Sequence, residues 1–193
     1  MAPLTIGLTG GIAAGKSEAL SAFARLGAAT LSSDVVVHEL LETEPLLGRL
    51  VARWGPEVVS EGAVDRGRIG EIVFADPEQL TWLEQQIHPL VGARTAAWLA
   101  ALPAETEIAV IEVPLLFESG RDKAFDTTVA IVTDDEVRRE RAAARGHALV
   151  DEREARQLAQ DEKADRAAHI VRNDGSVEDL ERALSALVER LRR

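Results

Sequence analysis

One short stretch of this chain carries residue types suited to holding a row of phosphates. Gly10-Gly11-Ile12-Ala13-Ala14-Gly15-Lys16-Ser17 has the spacing G-x-x-x-x-G-K-[ST]. Consecutive backbone N–H groups in such a loop, with the N-terminus of a following helix, surround an anion with fixed positive dipoles. Lys16 then supplies a point charge to the β- and γ-phosphates, and the Ser17 hydroxyl suits Mg²⁺. Lysine is scarce: Lys16, Lys123 and Lys163 are the only three among 22 basic residues. A lysine inside this loop is therefore no by-product of abundance. The plainer alternative is a glycine-rich turn that closes a βα unit.

Phosphoryl transfer needs a base at the acceptor, cations beyond the loop lysine and a way to exclude water. Asp34, in LSSDVVVHEL, lies just past an apolar run and is the candidate base; the same local pattern suits an N-cap of the following helix. Arg138, Arg141 and Arg145 fall at i, i+3 and i+7, which puts three guanidinium groups on one helical face. They suit a phosphate clamp, or simply a solvated face. Glu112 closes a third apolar run and could hold a Mg²⁺-bound water, or be no more than a polar strand end. The D-x-x-G and [NT]-K-x-D pair of guanine-nucleotide switches is missing from the sequence.

The elements that must position these groups alternate short apolar runs with amphipathic stretches, the pattern of βαβ units on a parallel sheet. Strands are predicted over Leu4–Thr9, Ala28–Leu31, Glu107–Val113, Thr127–Val132 and His169–Arg172, and helices over Lys16–Leu26, Asp135–Arg145, Asp151–Lys163 and Val177–Leu191. About 75 residues between the second and third strands show no strand pattern. They read as helices broken at Pro45, Gly55-Pro56, Gly62–Gly70, Pro77, Pro89 and Pro103. A crossover needs only about a dozen residues, so this segment is predicted to be a helical insertion that binds substrate. The charged stretch 141–163 reads as a mobile helical flap, or as a merely solvated helical pair.

Composition narrows the class. Hydrophobic residues make up 46% and charged residues 28% of 193, which excludes disordered and low-complexity chains. With no cysteine there is no disulfide, thiolate metal site or catalytic thiol. A net charge of −11 argues against broad nucleic-acid binding. No apolar stretch approaches the ~20 residues that span a bilayer, and no export signal opens the sequence. A soluble cytoplasmic protein is expected, with no membrane partner.

Further motifs follow the phosphate loop in order: SSD, FADP, IHPLV, VPLLFESG, an R-x-x-x-R helix, and R-x-x-x-Q before N-x-G. From Ile6 to Gly175 the series resembles the dephospho-coenzyme A kinase family. The resemblance implies phosphorylation of the ribose 3′-hydroxyl of dephospho-coenzyme A by ATP, the last step of coenzyme A biosynthesis, with Mg²⁺ as cofactor. It implies an α/β fold: a P-loop NTPase core with a five-stranded parallel sheet flanked by helices, a helical coenzyme-binding insertion and a lid. The expected division is 1–34, 105–140 and 164–193 for the core, 35–104 for the insertion and 141–163 for the lid.

Carried over by the resemblance, Gly11, Ala13, Ala14, Gly15, Lys16, Ser17, Glu18 and Arg145 meet the nucleotide, and Asp34 is the base. Arg141 and Arg145 are the lid-side arginines, with Arg141 given a catalytic role. His88 and Leu115 lie near the acceptor, although Pro89 disfavours helical geometry at His88 and could simply end a helix there. The sequence departs from the family at Ser32, which replaces the first Asp of D-A-D, and at Glu18, where Thr commonly follows Lys-Ser. Another P-loop metabolite kinase, acting on a nucleoside monophosphate or a sugar acid, is the alternative. Oligomeric state stays open.

Overall fold

The structure, a computed structural model, describes residues 2–144 and 157–192. In chain order the elements are β1 (Leu4–Gly10), α1 (Lys16–Arg25), β2 (Ala29–Ser32), α2 (Ser33–Leu41), α3 (Glu44–Trp54), β3 (Val59–Ser60), β4 (Ala63–Val64), α4 (Arg66–Ala75) and α5 (Pro77–Ala100). There follow β5 (Ile108–Glu112), β6 (Thr127–Val132), α6 (Asp135–Ala144), α7 (Gln160–Arg166), β7 (His169–Arg172) and α8 (Val177–Leu191). The chain forms two compact units, Met1–Ser32 with Leu102–Arg193, and Ser33–Ala101.

The first unit is built on a five-stranded sheet in the order β2-β5-β1-β6-β7. Every pairing in it is parallel. All five strands predicted from the apolar runs are present, with ends shifted by no more than a residue. β5 is buried along its whole length, which is why it reads as a continuous apolar run instead of an alternating one. The core joins Ile6, Leu8, Val110 and Ile131 of the strands to Phe23 of α1 and Leu180, Leu184 and Leu187 of α8. Ser176 caps α8 as the sequence suggests, accepting the Asp179 N–H in a reciprocal capping box. Because the strands are parallel and β1 is central, Gly10 leaves the middle of the sheet at its C-terminal edge. That edge is where open α/β sheets bind ligands.

The second unit is helical, with two departures from the sequence prediction. Val59↔Val64 and Ser60↔Ala63 pair as a small antiparallel hairpin where no strand is predicted. Its turn is Glu61-Gly62, both at positive φ (54° and 84°), the combination that matches strand twist in a two-residue loop. α5 runs unbroken through Pro89. The amide that proline removes would have bonded the carbonyl of Gln85, four residues back and exposed to water. Leu83, Ile87 and Val91 keep the buried stripe continuous on both sides of the proline. Likewise α4 passes over Gly67 and Gly70, started by the Asp65 side chain accepting the Arg68 N–H at 3.0 Å. Among the described residues no helix is long and apolar enough to cross a membrane.

A third departure lies near the end of the first unit. Helix was predicted over Asp151–Lys163, yet α7 begins only at Gln160 and continues to Arg166; residues 151–156 fall outside the described residues. Gln157–Ala159 are not helical because the Leu158 N–H is taken by the Glu118 carboxylate at 2.8 Å. Ala159 itself has extended geometry.

Candidate active site

Gly10 to Lys16 form a loop between β1 and α1. Ala13 and Gly15 both have positive φ, 60° and 94°. The left-handed conformation costs an alanine roughly 1–2 kcal/mol, and such turns gather consecutive N–H groups into an anion-binding concavity. Gly15 is the N-cap of α1 and offers no side-chain acceptor, so no capping side chain competes with a ligand for the first N–H groups of the helix. A side chain at Gly15 would collide with the amide nitrogen of Asn173. Lys16 Nζ donates to Gly10 O (3.2 Å) and Gly11 O (2.8 Å), which holds the ammonium against the mouth of the loop.

The loop is braced from behind by residues far along the chain. Ala14 O accepts from Asn173 Nδ2 at 2.8 Å and from Thr133 Oγ1 at 2.9 Å. Both residues are buried. Gln160 bonds the backbone of Thr133 twice, accepting its N–H at 2.9 Å and donating to its carbonyl at 2.8 Å. Sequence reasoning passed over Thr133. Its signal was a hydroxyl directly after the buried run TTVAIV.

Beside the loop is a cavity of about 630 Å³, lined by Gly11, Ile12, Thr133, Arg138, Gln160 and Arg172 among others. That size falls within the ~300–1,000 Å³ typical of small-ligand sites. Arg138, paired with Asp135 at 3.2 Å, is thus part of the cavity wall, although it matches the family motifs less well than its neighbours. Arg141 donates to Asn173 O at 2.9 Å and Gly175 O at 3.5 Å. Its guanidinium lies about 3.9 Å from where a Gly15 side chain would begin. Arg145 lies outside the described residues.

The remaining predicted residues fall as follows. Ser17, in the first turn of α1, is exposed and its hydroxyl has no partner among the described residues. Glu18 points its carboxylate at Arg25, 2.9 Å away, and Arg25 also holds Glu181 at 3.2 Å. The Arg25 pKa is raised, chiefly by the hydrogen bond it donates to Glu18. Glu112 is buried at the end of β5, in register with Leu8 of β1 and Ser32 of β2. Leu115 is half-buried in the loop after β5. In the helical unit, Asp34 is exposed in the first turn of α2, which begins one residue earlier at Ser33; it is not the N-cap. His88 is exposed in the interior of α5 and ends no helix. Among the described residues no group of three or more His, Cys, Asp or Glu could hold a metal ion.

A parallel sheet with its central strand opening into a lysine-bearing phosphate loop at a helix N-terminus, beside a cavity edged with arginine, defines a P-loop kinase fold. Within that class, residues 4–179 match the family model of dephospho-CoA kinase. A dephospho-CoA kinase of Synechococcus sp. (strain CC9902) is 37% identical over 189 residues, covering 95% of this chain and 94% of that one. Among solved structures, a Thermus thermophilus protein matches with a TM-score of 0.84 at 36% identity, over 99% of both chains. The dephospho-CoA kinase of Campylobacter jejuni matches at 0.72 and 26%, over 97% of this chain and 96% of that one. The chain belongs to the dephospho-CoA kinase family. Its reaction is the ATP-dependent phosphorylation of dephospho-CoA in coenzyme A biosynthesis, and the alternative of another acceptor class is not favoured.

Proposed function

We propose that Lys16, Asp34 and Arg141 carry the transfer from ATP to the ribose 3′-hydroxyl. The N–H groups of the loop and the α1 N-terminus hold the triphosphate, and Lys16 follows the charge that develops on the transferring group. Asp34 accepts or orders the hydroxyl proton. The observation that carries this reading is the Lys16 ammonium resting on Gly10 and Gly11 carbonyls, where an arriving phosphate offers it a stronger, charged acceptor. An ADP-release assay comparing dephospho-CoA with adenosine monophosphate and gluconate tests it. Turnover stimulated equally by all three would sink the assignment.

Mg²⁺ fits the residues present. The exposed Ser17 hydroxyl is a suitable hard-oxygen ligand, and Glu112 at the strand edge suits a water bound to the ion. When bound, the ion would neutralise phosphate charge during transfer. Such a centre draws most of its ligands from water and substrate. A cytoplasmic enzyme acting on two small anionic substrates, without nucleic acid or membrane, belongs to the same reading.

The helical unit is proposed to hold the pantetheine and adenine parts of the acceptor, with His88 among its contacts. Leu115 is proposed on the core side of the acceptor. Amide exchange is expected to show new protection across 35–104 on adding dephospho-CoA and little on adding ATP alone. Protection confined to the phosphate loop with both ligands would overturn this role.

Segment 141–163 is proposed as the lid, with Arg141 and Arg145 meeting phosphate charge. Arg141 is suited to this because a guanidinium can keep one donor on the Asn173 carbonyl and turn others to the nucleotide. A lysine cannot reproduce that fork. Arg141→Lys is expected to lower kcat on the order of tenfold or more with ATP Kd changed only a few fold. Stopped-flow and equilibrium titration separate the two quantities, and an unchanged kcat would leave Arg141 a brace of the 173–175 loop.

A further inference from the structure

The least expected charge in the core unit is Lys163. Its side chain is completely buried, in a chain where every other described lysine or arginine keeps some contact with solvent. Taking an ammonium out of water is costly, and a methionine of similar length would fill the space without that cost. Burial holds the Lys163 pKa below the ordinary lysine value, partly offset by the hydrogen bond and charge of Glu118. The ammonium meets three acceptors, which matches its three N–H bonds. They are Pro114 O at 2.6 Å, Glu118 Oε1 at 3.0 Å and Gln157 Oε1 at 3.3 Å.

Those acceptors belong to two stretches of chain that do different work. Pro114 and Glu118 bound the loop that follows β5, with Leu115 between them. Gln157 and Leu158 begin the run that lines the cavity beside the phosphate loop. Glu118 Oε1 binds both sides at once, taking the Lys163 ammonium and the Leu158 N–H. The Pro114 carbonyl also accepts from Thr9 Oγ1 at 3.2 Å, and Thr9 immediately precedes Gly10. A single buried ammonium is therefore bonded, directly or through one shared atom, to the root of the phosphate loop, the loop after β5 and the cavity wall. Glu118 Oε2 is buried with no hydrogen-bond partner among the described residues, so the arrangement is not the cheapest way to fill this space.

We infer that Lys163, through Glu118 and the Pro114 carbonyl, is a positioning residue for phosphoryl transfer that fixes the Pro114–Glu118 loop against the cavity wall and the phosphate loop. This rests on the reading above that Leu115 faces the acceptor. An ordinary structural ion pair and a positioning pair differ in what happens when both charges are removed. Replacing a buried pair by neutral groups of similar shape is often harmless to stability, whereas removing one partner strands the other. Orientation of the loop, by contrast, is not recovered by neutral packing.

The test compares Glu118→Gln, which keeps an oxygen for the Leu158 N–H, with the double variant Lys163→Met/Glu118→Gln. The double variant is expected to melt close to the wild type and to keep KM for ATP within about twofold. Its kcat/KM for dephospho-CoA is expected to fall about tenfold or more, the scale on which small misplacements act. Glu118→Gln, the milder change should the double variant not fold, is expected to raise KM for dephospho-CoA severalfold with KM for ATP unchanged. Wild-type parameters for dephospho-CoA in either folded variant would overturn the inference. Amide exchange of the wild type separates the underlying reading. Protection of Leu115–Ser119 on adding dephospho-CoA supports the loop's acceptor role, and its absence removes that role and this inference together. Protection with unaffected variants removes Lys163 alone.

Discussion

Lys16→Ala is expected to reduce turnover by roughly 10³-fold or more while leaving the melting temperature within a few degrees of wild type. The two halves of this expectation have separate causes. In the structure the half-buried Lys16 side chain donates to two loop carbonyls, Gly10 O and Gly11 O. Losing this donor is not expected to unfold the loop, because other groups set its shape. The backbone shape of the loop is held from behind by Asn173 and Thr133 on the Ala14 carbonyl. During transfer, however, charge shifts onto the γ-phosphoryl oxygens and the bridging oxygen, and a fixed cation there acts on the transition state more than on bound ATP. Alanine should therefore depress kcat more than it weakens ATP binding. Steady-state kinetics beside a thermal melt measures both. A variant with near-normal turnover would remove the phosphate-loop assignment, and a collapsed melt would show that the lysine holds the loop.

Asp34→Asn should cut kcat about 10²-fold or more, the range that a positioned general base contributes. Asparagine matches the shape of the carboxyl group and can still accept a hydrogen bond, but it cannot take the proton of the ribose hydroxyl. The expectation is sharpened by Ser32, two residues earlier, where the family pattern has a second carboxylate. With a serine there, no neighbouring Asp can stand in for Asp34. Affinity for ATP is expected to change less than about twofold, because the Gly10–Ser17 loop is the part proposed to hold the phosphates. Asp34 is also exposed in the first turn of α2, where a carboxylate gains up to about 1 kcal/mol from the helix dipole. That gives the competing outcome a definite form: unchanged kcat with a slightly lowered melting temperature would make Asp34 a helix-terminus acid and nothing more.

The parts of this protein that local chemistry fixes were legible in its residues. The Gly10–Ser17 loop, the almost wholly apolar IAVIEV run and the Ser176 cap each follow from interactions within a few positions. The two-residue strands of the hairpin were not legible, because alternation needs more than two residues to show and the signal resides in the Glu61-Gly62 turn alone. Pro89 misled because the rule that proline ends a helix assumes an unmet cost; here the stripe Leu83, Ile87, Val91 outweighs one lost bond at the exposed Gln85. The late start of α7 and the burial of Lys163 were hidden for another reason. Both depend on Glu118, which lies 40 positions before Leu158, and nothing near Lys163 separates it from an ordinary surface lysine. Site residues that act through backbone carbonyls, such as Thr133 and Asn173, leave the same faint local trace.

The Asn173 amide that grips Ala14 O lies 159 positions further along the chain. β1 itself is central, and both strands beside it come from beyond residue 107. Contacts of such sequence separation form late and slowly in folding. During synthesis the phosphate-loop sequence therefore emerges long before the Asn173 that braces it, and its geometry waits for that later segment. An unfinished chain carries the full Gly10–Ser17 sequence without the brace that shapes it, so nucleotide capture is tied to completion of the domain.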